Sequence, residues 1–266
     1  HNYVKKFILN NSTTILGTAE HGSKAGLRYN FLGITGSGGK LSMLRDLYSN
    51  LSTDKLKSIF TNVFTNILKP WYGQPKWEIF FPFAGHNPMR IFKSICEDAE
   101  TILGISAEQK TIYCEELQKE LPNPYHFLKY YYEEKKDCSI HWYKSVIHGD
   151  LNLANIMLDD NNNIYIIDFS ETRESNIVSD LGRIEPIIKI EMSRLNDEND
   201  LKEFLQFEYE LAQIKTIDEI PRFSYNGKDD TLSKAYELIS LFRKFAGKMT
   251  IFESNLVPYF LSVLEW

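Results

Sequence analysis

The 22 residues from His148 to Phe169 constrain this chain more than any others. A polar loop, His148-Gly149-Asp150-Leu151-Asn152-Leu153-Ala154-Asn155, runs into the apolar triplet Ile156-Met157-Leu158. Asp159-Asp160-Asn161-Asn162-Asn163 is a strong turn signal. A second apolar run, Ile164 to Ile167, follows and ends in Asp168-Phe169. Two short strands joined by that turn are therefore predicted, with Asp150 and Asn155 before the first strand and Asp168 after the second.

Two carboxylates and an amide in this order suit phosphoryl transfer from a metal-bound nucleotide. A hydroxyl acceptor loses its proton as transfer completes, so a carboxylate within hydrogen-bond reach is useful, and Asp150 is placed for it. Asn155 and Asp168 offer hard oxygens to magnesium, which keeps several waters and needs few protein ligands. Asp-x-x-x-x-Asn alone occurs by chance in many proteins. The specific signal is the joint pattern of His-Gly-Asp, an asparagine five positions on, and two apolar strands ending in Asp-Phe.

Around this segment the pattern is mostly helical. Tyr3 to Leu9 has helical spacing, and Thr13 to Thr18 and Gly26 to Gly33 are predicted strands with a hairpin at Glu20 to Lys24. Thr35 to Gly39 is a glycine-rich loop. Leu41, Leu44, Leu47 and Tyr48 share one helical face, and Leu56, Phe60, Val63, Phe64, Ile67 and Leu68 share another that Pro70 closes. Ile79 to Phe83 is a short extended piece. Helices are predicted over Pro88 to Cys96, Ala107 to Lys119, Pro124 to Glu134, Asp180 to Arg194, Leu201 to Ile214, Thr231 to Gly247 and Asn255 to Leu264. The order implies an α+β fold in two parts, 1–34 and 35–266, with the ligand in the cleft between them.

Composition limits the function classes. Net charge is −6, which disfavours non-specific nucleic-acid binding. Cys96, Cys114 and Cys138 form no C-x-x-C pair, so neither a disulfide framework nor a zinc site is expected, and a reducing cytoplasm fits. No secretory signal and no apolar run long enough to span a bilayer is found, so no membrane partner is expected. Nothing in the sequence sets an oligomeric state.

His148 to Leu158 together with Ile166 to Phe169 resembles the catalytic core of the aminoglycoside phosphotransferase and choline kinase group, within the protein-kinase-like fold. A looser likeness, in the order of elements, covers nearly the whole chain. The resemblance implies Asp150 as catalytic base, Asn155 and Asp168 as magnesium ligands, and His148 as a brace for the loop. It implies that Met157 and Ile167 lie under the adenine of ATP, and that Asn30, Phe31 and Leu32, within Tyr29 to Gly33, form the hinge that pairs with the adenine edge. Asp180 in Asp180-Leu181-Gly182-Arg183 would support the catalytic loop. The implied reaction moves the ATP γ-phosphate to a small-molecule alcohol or amino sugar, with magnesium as cofactor.

Two departures from the family pattern stand out. Ser170 follows Asp168-Phe169 where many relatives carry glycine or an acidic residue. Relatives also place a glycine-rich phosphate loop and an anchoring lysine before the helix predicted at Tyr3 to Leu9, and Lys5 and Lys6 lie on that helix. A chain cut within the smaller lobe, or a reduced lobe, is the expectation. The missing lysine strand keeps a second class open: a non-catalytic, kinase-like nucleotide-binding or regulatory module. A protein kinase is disfavoured, because only eleven residues separate Asp168 from Asp180 and no Ala-Pro-Glu follows.

Other motifs fail on inspection. Gly33 to Ser42 misses the P-loop template, with Ile34 at the first glycine position and Leu41 where Ser or Thr is required. No G-x-S-x-G elbow is present. His21, His86, His126 and His141 form no ligand cluster. Glu171, Glu174 and Glu185 are near enough in sequence to meet a cationic acceptor, though ordinary solvated carboxylates are the simpler expectation.

Overall fold

The computed structural model describes residues 15–29, 40–73, 75–85, 94–222 and 230–249, with 257, 259, 260 and 263 near the C-terminus. Strands β1 (Ile15–His21) and β2 (Lys24–Tyr29) pair antiparallel around a turn at Gly22, where φ is +61°. This is the hairpin expected from the sequence. The helix expected at 3–9, the hinge residues Asn30, Phe31 and Leu32, and the loop at 35–39 lie outside the described residues.

From Ser42 the chain forms a short strand β3 (Ser42–Met43), helix α1 (Leu44–Leu47) and helix α2 (Thr53–Asn62). Ser52 caps α2, its Oγ accepting from Lys55 N at 3.3 Å. Leu56, Ile59 and Phe60 recur at helical spacing and are buried. A π turn over Val63–Ile67 carries the same apolar face onward, and helix α3 (Lys69–Tyr72) has Pro70 in its first turn. Strand β4 (Lys76–Phe80) follows, then helix α4 (Ile95–Leu103).

The helix expected over 107–119 is instead a hairpin of β5 (Thr111–Cys114) and β6 (Lys119–Pro122). Thr111, Ile112 and Tyr113 suit extended backbone, and Gln118 turns the chain at φ +53°. Asn123 stops any helix here, because its Nδ2 donates to the carbonyls of Ser106 and Gln109 at 3.0 and 2.7 Å. Its Oδ1 accepts from Tyr125 N at 3.0 Å and so caps helix α5 (Pro124–Tyr130).

Strand β7 (Ile140–Ile147), not anticipated from the sequence, leads into the polar loop. It lies between β4 and β10 (Arg173–Asn176) in an antiparallel sheet of order β10-β7-β4. The predicted hairpin forms as β8 (Ile156–Leu158) and β9 (Ile164–Ile166), with Ile156 opposite Ile166 and β3 on the outer side of β8. Asp159 ties the turn: its Oδ1 accepts from Asn161 N at 2.9 Å and Asn163 N at 2.8 Å.

Helix α6 (Ser179–Pro186) continues as a π turn over Ile187–Glu191, next to Pro186, which brings no N–H to the ladder. Helices α7 (Glu198–Leu211) and α8 (Thr231–Met249) complete the described body. One apolar core joins α2, the π turn after it and α8 to Ile147, Ile156, Ile166 and Leu181. The architecture is mixed helix and small antiparallel sheets, in keeping with the α+β expectation. Among the described residues no helix is long and apolar enough to cross a membrane.

Candidate functional site

The loop between β7 and β8 is pinned by alternate residues. Leu151 and Leu153 are buried in the core, while Asp150, Asn152 and Ala154 are only partly covered. Asn152 shapes the turn, its Oδ1 accepting from Ala154 N at 2.9 Å and Asn155 N at 3.1 Å. Asn155 then folds back on Asp150. Its Nδ2 donates to the Asp150 carbonyl at 2.8 Å and to Asp150 Oδ2 at 3.1 Å. Spending Nδ2 this way leaves Oδ1 as the oxygen Asn155 presents elsewhere.

The other Asp150 oxygen, Oδ1, accepts from Arg183 on α6. Burial lowers the Arg183 guanidinium below its ordinary range, and the Asp150 and Asp180 carboxylates oppose that shift. Asp180, one turn earlier on α6, is itself buried. It accepts from His148 N and Tyr72 OH on Oδ2, at 2.8 and 2.7 Å, and from Gly149 N on Oδ1 at 2.9 Å. Gly149 takes φ +84°, and an added Cβ there would lie 2.2 Å from the Glu171 carbonyl oxygen.

His148 is fully buried. Its Nε2 donates to the Ile167 carbonyl at 2.9 Å, and its Nδ1 accepts from Asp150 N at 3.3 Å. Those partners require the neutral ring, and burial holds its pKa below the ordinary 6.5 against the pull of Asp180 and Asp150. His148 thus joins the loop to the end of β9.

Ile167 N donates to the Asn155 carbonyl at 3.0 Å, which sets Asp168 one residue beyond a bridge to Asn155. Asp168 is exposed and adopts φ +58°, uncommon outside glycine, with Oδ1 accepting from Ser170 Oγ at 2.9 Å. The next ring, Phe169, packs on Trp71 and His148 with centroids 5.6 and 5.1 Å apart. Met157 and Ile167 are both half-buried. Met157 pairs with Met43 on β3 and Tyr165 on β9, and strand alternation puts Ile167 on the same side as Tyr165. Met43, 40% exposed, extends this partly open apolar face and was missed in the sequence.

Among the described residues no three His, Cys, Asp or Glu side chains group as a metal site. One amide oxygen and one carboxylate, Asn155 and Asp168, are the donors available. Oxygen donors of this kind are what a hard cation such as magnesium takes, a cation that keeps several waters and needs few protein ligands.

Of the acidic residues considered for a cationic acceptor, one is sealed in the core and two sit in exposed ion pairs. Glu185 is fully buried against Arg243, Lys189 and Tyr259. Glu174 pairs with Lys76 and Lys144, and Glu171 with Arg173. Arg183 is the second residue the sequence reading missed. Its spacing of three from Asp180 was the available signal, since i and i+3 on a helix face the same loop.

Residues 99–254 match the model of a family described as ternary complex associated domain 9. The match covers more than half of the 266 residues and contains the whole site from His148 to Arg183. No curated protein matches the chain.

Proposed function

The chain belongs to the ternary complex associated domain 9 family, and from its site residues we propose that it is a magnesium-dependent phosphotransferase that moves the γ-phosphate of ATP to the hydroxyl of a small molecule. The fold we propose is protein-kinase-like with two lobes, similar to that of the aminoglycoside phosphotransferase and choline kinase group, and the setting is cytoplasmic. The observation that carries this reading is the Asp150 carboxylate, held on one side by the Asn155 amide at 3.1 Å and on the other by Arg183.

In this mechanism Asp150 accepts a hydrogen bond from the acceptor hydroxyl and takes its proton as transfer completes. The acceptor oxygen forms a bond to the γ-phosphorus while the bond from that phosphorus to the β–γ bridging oxygen breaks, and ADP leaves. Arg183 and Asn155 fix the carboxylate in one orientation, so little reorganisation is needed during reaction. Asn155 and Asp168 would hold magnesium, which neutralises charge on the phosphates when bound. The adenine ring would lie on the face of Met157 and Ile167. Asp180 and His148 position the loop without touching substrate.

Titration calorimetry and an ATP turnover assay test the proposal. Asp168→Ala should abolish magnesium-dependent ATP binding. Asp150→Ala should keep that binding and lower transfer about 10²–10⁴-fold, the usual contribution of a general base. Wild-type behaviour of both variants in both assays overturns it. The ion pair on Asp150 Oδ1 also suits a non-catalytic nucleotide-binding module, in which Asp150 merely anchors α6. That module predicts ATP binding with no turnover in the wild-type protein.

A further inference from the structure

A cavity of about 360 Å³ lies where the π turn after α2, helix α3 and the end of α8 meet. Phe64, Tyr72 and Ile177, all buried, form its floor. Phe245 and Met249, half-buried on α8, form a wall, and the Phe64 and Phe245 rings stand 6.1 Å apart by centroid. Lys69 on α3 and Lys248 on α8, both exposed, stand at the mouth. The volume falls in the range of small-molecule sites, about 300–1,000 Å³, which are mostly apolar with a few polar groups that orient the ligand.

Most polar side chains of this lining are already committed. Thr65 Oγ1 donates to the Thr61 carbonyl at 2.6 Å. Tyr72 OH donates to Asp180 Oδ2 at 2.7 Å, which leaves its ring, and not its hydroxyl, for the cavity. No acidic side chain is among the described lining residues. The two ammonium groups remain, and among the described residues neither has an ion-pair partner. A second cavity, lined by Lys57, differs on this point, since Glu237 in the same lining neutralises that lysine. An ammonium is a compact point charge with three donors and no acceptor, so its complement is an anion.

We infer that this cavity is a binding site for a small amphipathic anion, a carboxylate on an alkyl or aryl body. The apolar body lies on Phe64, Ile177, Phe245 and Met249, and the carboxylate is met by Lys69 and Lys248. The site is separate from the proposed nucleotide site, and Tyr72 stands between them. Its ring lines the cavity, while its hydroxyl holds the Asp180 that carries the loop of Asp150. None of the lining residues belongs to the proposed phosphotransfer chemistry, so this site stands or falls independently of Mg-ATP binding.

The test uses two probes with one alkyl body and opposite charge, octanoate and octylamine, titrated into the full chain by calorimetry at about pH 7. Octanoate should saturate with a Kd of about 1 mM or below and bind at least about fivefold tighter than octylamine. The double variant Lys69→Glu with Lys248→Glu should weaken octanoate at least about tenfold and reverse the preference, so that octylamine binds more tightly. A loss of packing alone would weaken both probes and reverse nothing. Thr65→Trp, which places an indole in the cavity, should weaken octanoate at least about tenfold as well. Thermal unfolding confirms that each variant is folded, and the two exposed lysines carry the decisive substitution. No saturable octanoate binding up to about 10 mM, equal or tighter binding of octylamine by the wild-type chain, or octanoate still preferred in the folded double variant overturns the inference. Unchanged octanoate binding in folded Thr65→Trp overturns it too, because the probe then lies elsewhere.

Discussion

The Asp180 carboxylate accepts the backbone N–H of His148 at 2.8 Å, and so ties helix α6 to the loop that carries Asp150. The same side chain takes Gly149 N and Tyr72 OH. Asp180→Ala would leave three donors without an acceptor in a site where Asp180 itself is only 1% exposed. Each stranded donor costs about 1–3 kcal/mol, so a loss of at least about 3 kcal/mol is expected in urea unfolding. Asp180→Asn keeps one acceptor oxygen and should cost less. A loss below about 1 kcal/mol for the alanine variant would show that the tie carries little of the loop's stability.

Gly149 is the tightest point of that loop. An alanine there meets the Glu171 carbonyl oxygen at 2.2 Å and Arg173 Nη1 at 2.8 Å, at φ +84°. The left-handed backbone alone costs a non-glycine residue about 1–2 kcal/mol, and the clash adds overpacking of about 1–3 kcal/mol. Gly149→Ala should therefore destabilise by at least about 2 kcal/mol and lower the thermal midpoint. Gly104, also at positive φ but with open space around a Cβ, is the control. Gly104→Ala should cost only the backbone part.

The turn between β8 and β9 gives a third expectation. Asp159 is buried, and besides two backbone N–H groups it accepts from Asn163 Nδ2 at 2.8 Å and Tyr165 OH at 3.2 Å. Asp159→Ala should cost about 1–3 kcal/mol, because the donors cannot all find water. Under the proposed function Mg-ATP affinity should fall with it, since Asn155 precedes β8 and Asp168 follows β9, and Ile167 N bonds the Asn155 carbonyl between them. An unchanged affinity in a folded variant would mean that the turn does not control the spacing of those two residues.

The central hairpin was legible in the sequence because two independent signals agreed there: apolar triplets of strand length, and a run of Asp and Asn that only a turn accommodates. The face of α2 and the next turn was legible for the same reason, through Leu56, Phe60, Val63 and Phe64 at helical spacing. The region 107–119 misled because Glu108, Gln109, Lys110, Glu115 and Glu116 favour helix locally, while Asn123 and cross-strand pairing decide the outcome from outside the window. Strand β7 hid behind Lys144 and Ser145, polar residues in mid-strand whose partners, Glu78 and the Trp71 carbonyl, come from other elements. Arg183 shows the same limit at the site. Its spacing from Asp180 marks the helix face it shares, but its partner, Asp150, lies 33 residues away and is not marked by that spacing.

The ion network beneath α6 gives the pH expectation. Glu185 is fully buried and accepts from Arg243 Nη2 at 2.6 Å, Lys189 Nζ at 2.7 Å and Tyr259 OH at 2.6 Å. Burial pushes its carboxyl up, but Lys189 and Arg243 outweigh burial and pull it from 4.5 down to about 2. The unfolded chain therefore takes up this proton first as pH falls. The stabilisation is complete above 4.5 and is lost as pH falls from 4.5 toward 2. Glu185→Gln leaves the buried Arg243 without its carboxylate, and breaking such a pair costs about 3–5 kcal/mol at neutral pH. The gap between wild type and Glu185→Gln in urea unfolding should narrow as the buffer is taken below 4.5. A gap that stays constant through that range would mean the carboxyl titrates alike in the folded and unfolded chain, and the network would then contribute packing and no linked charge.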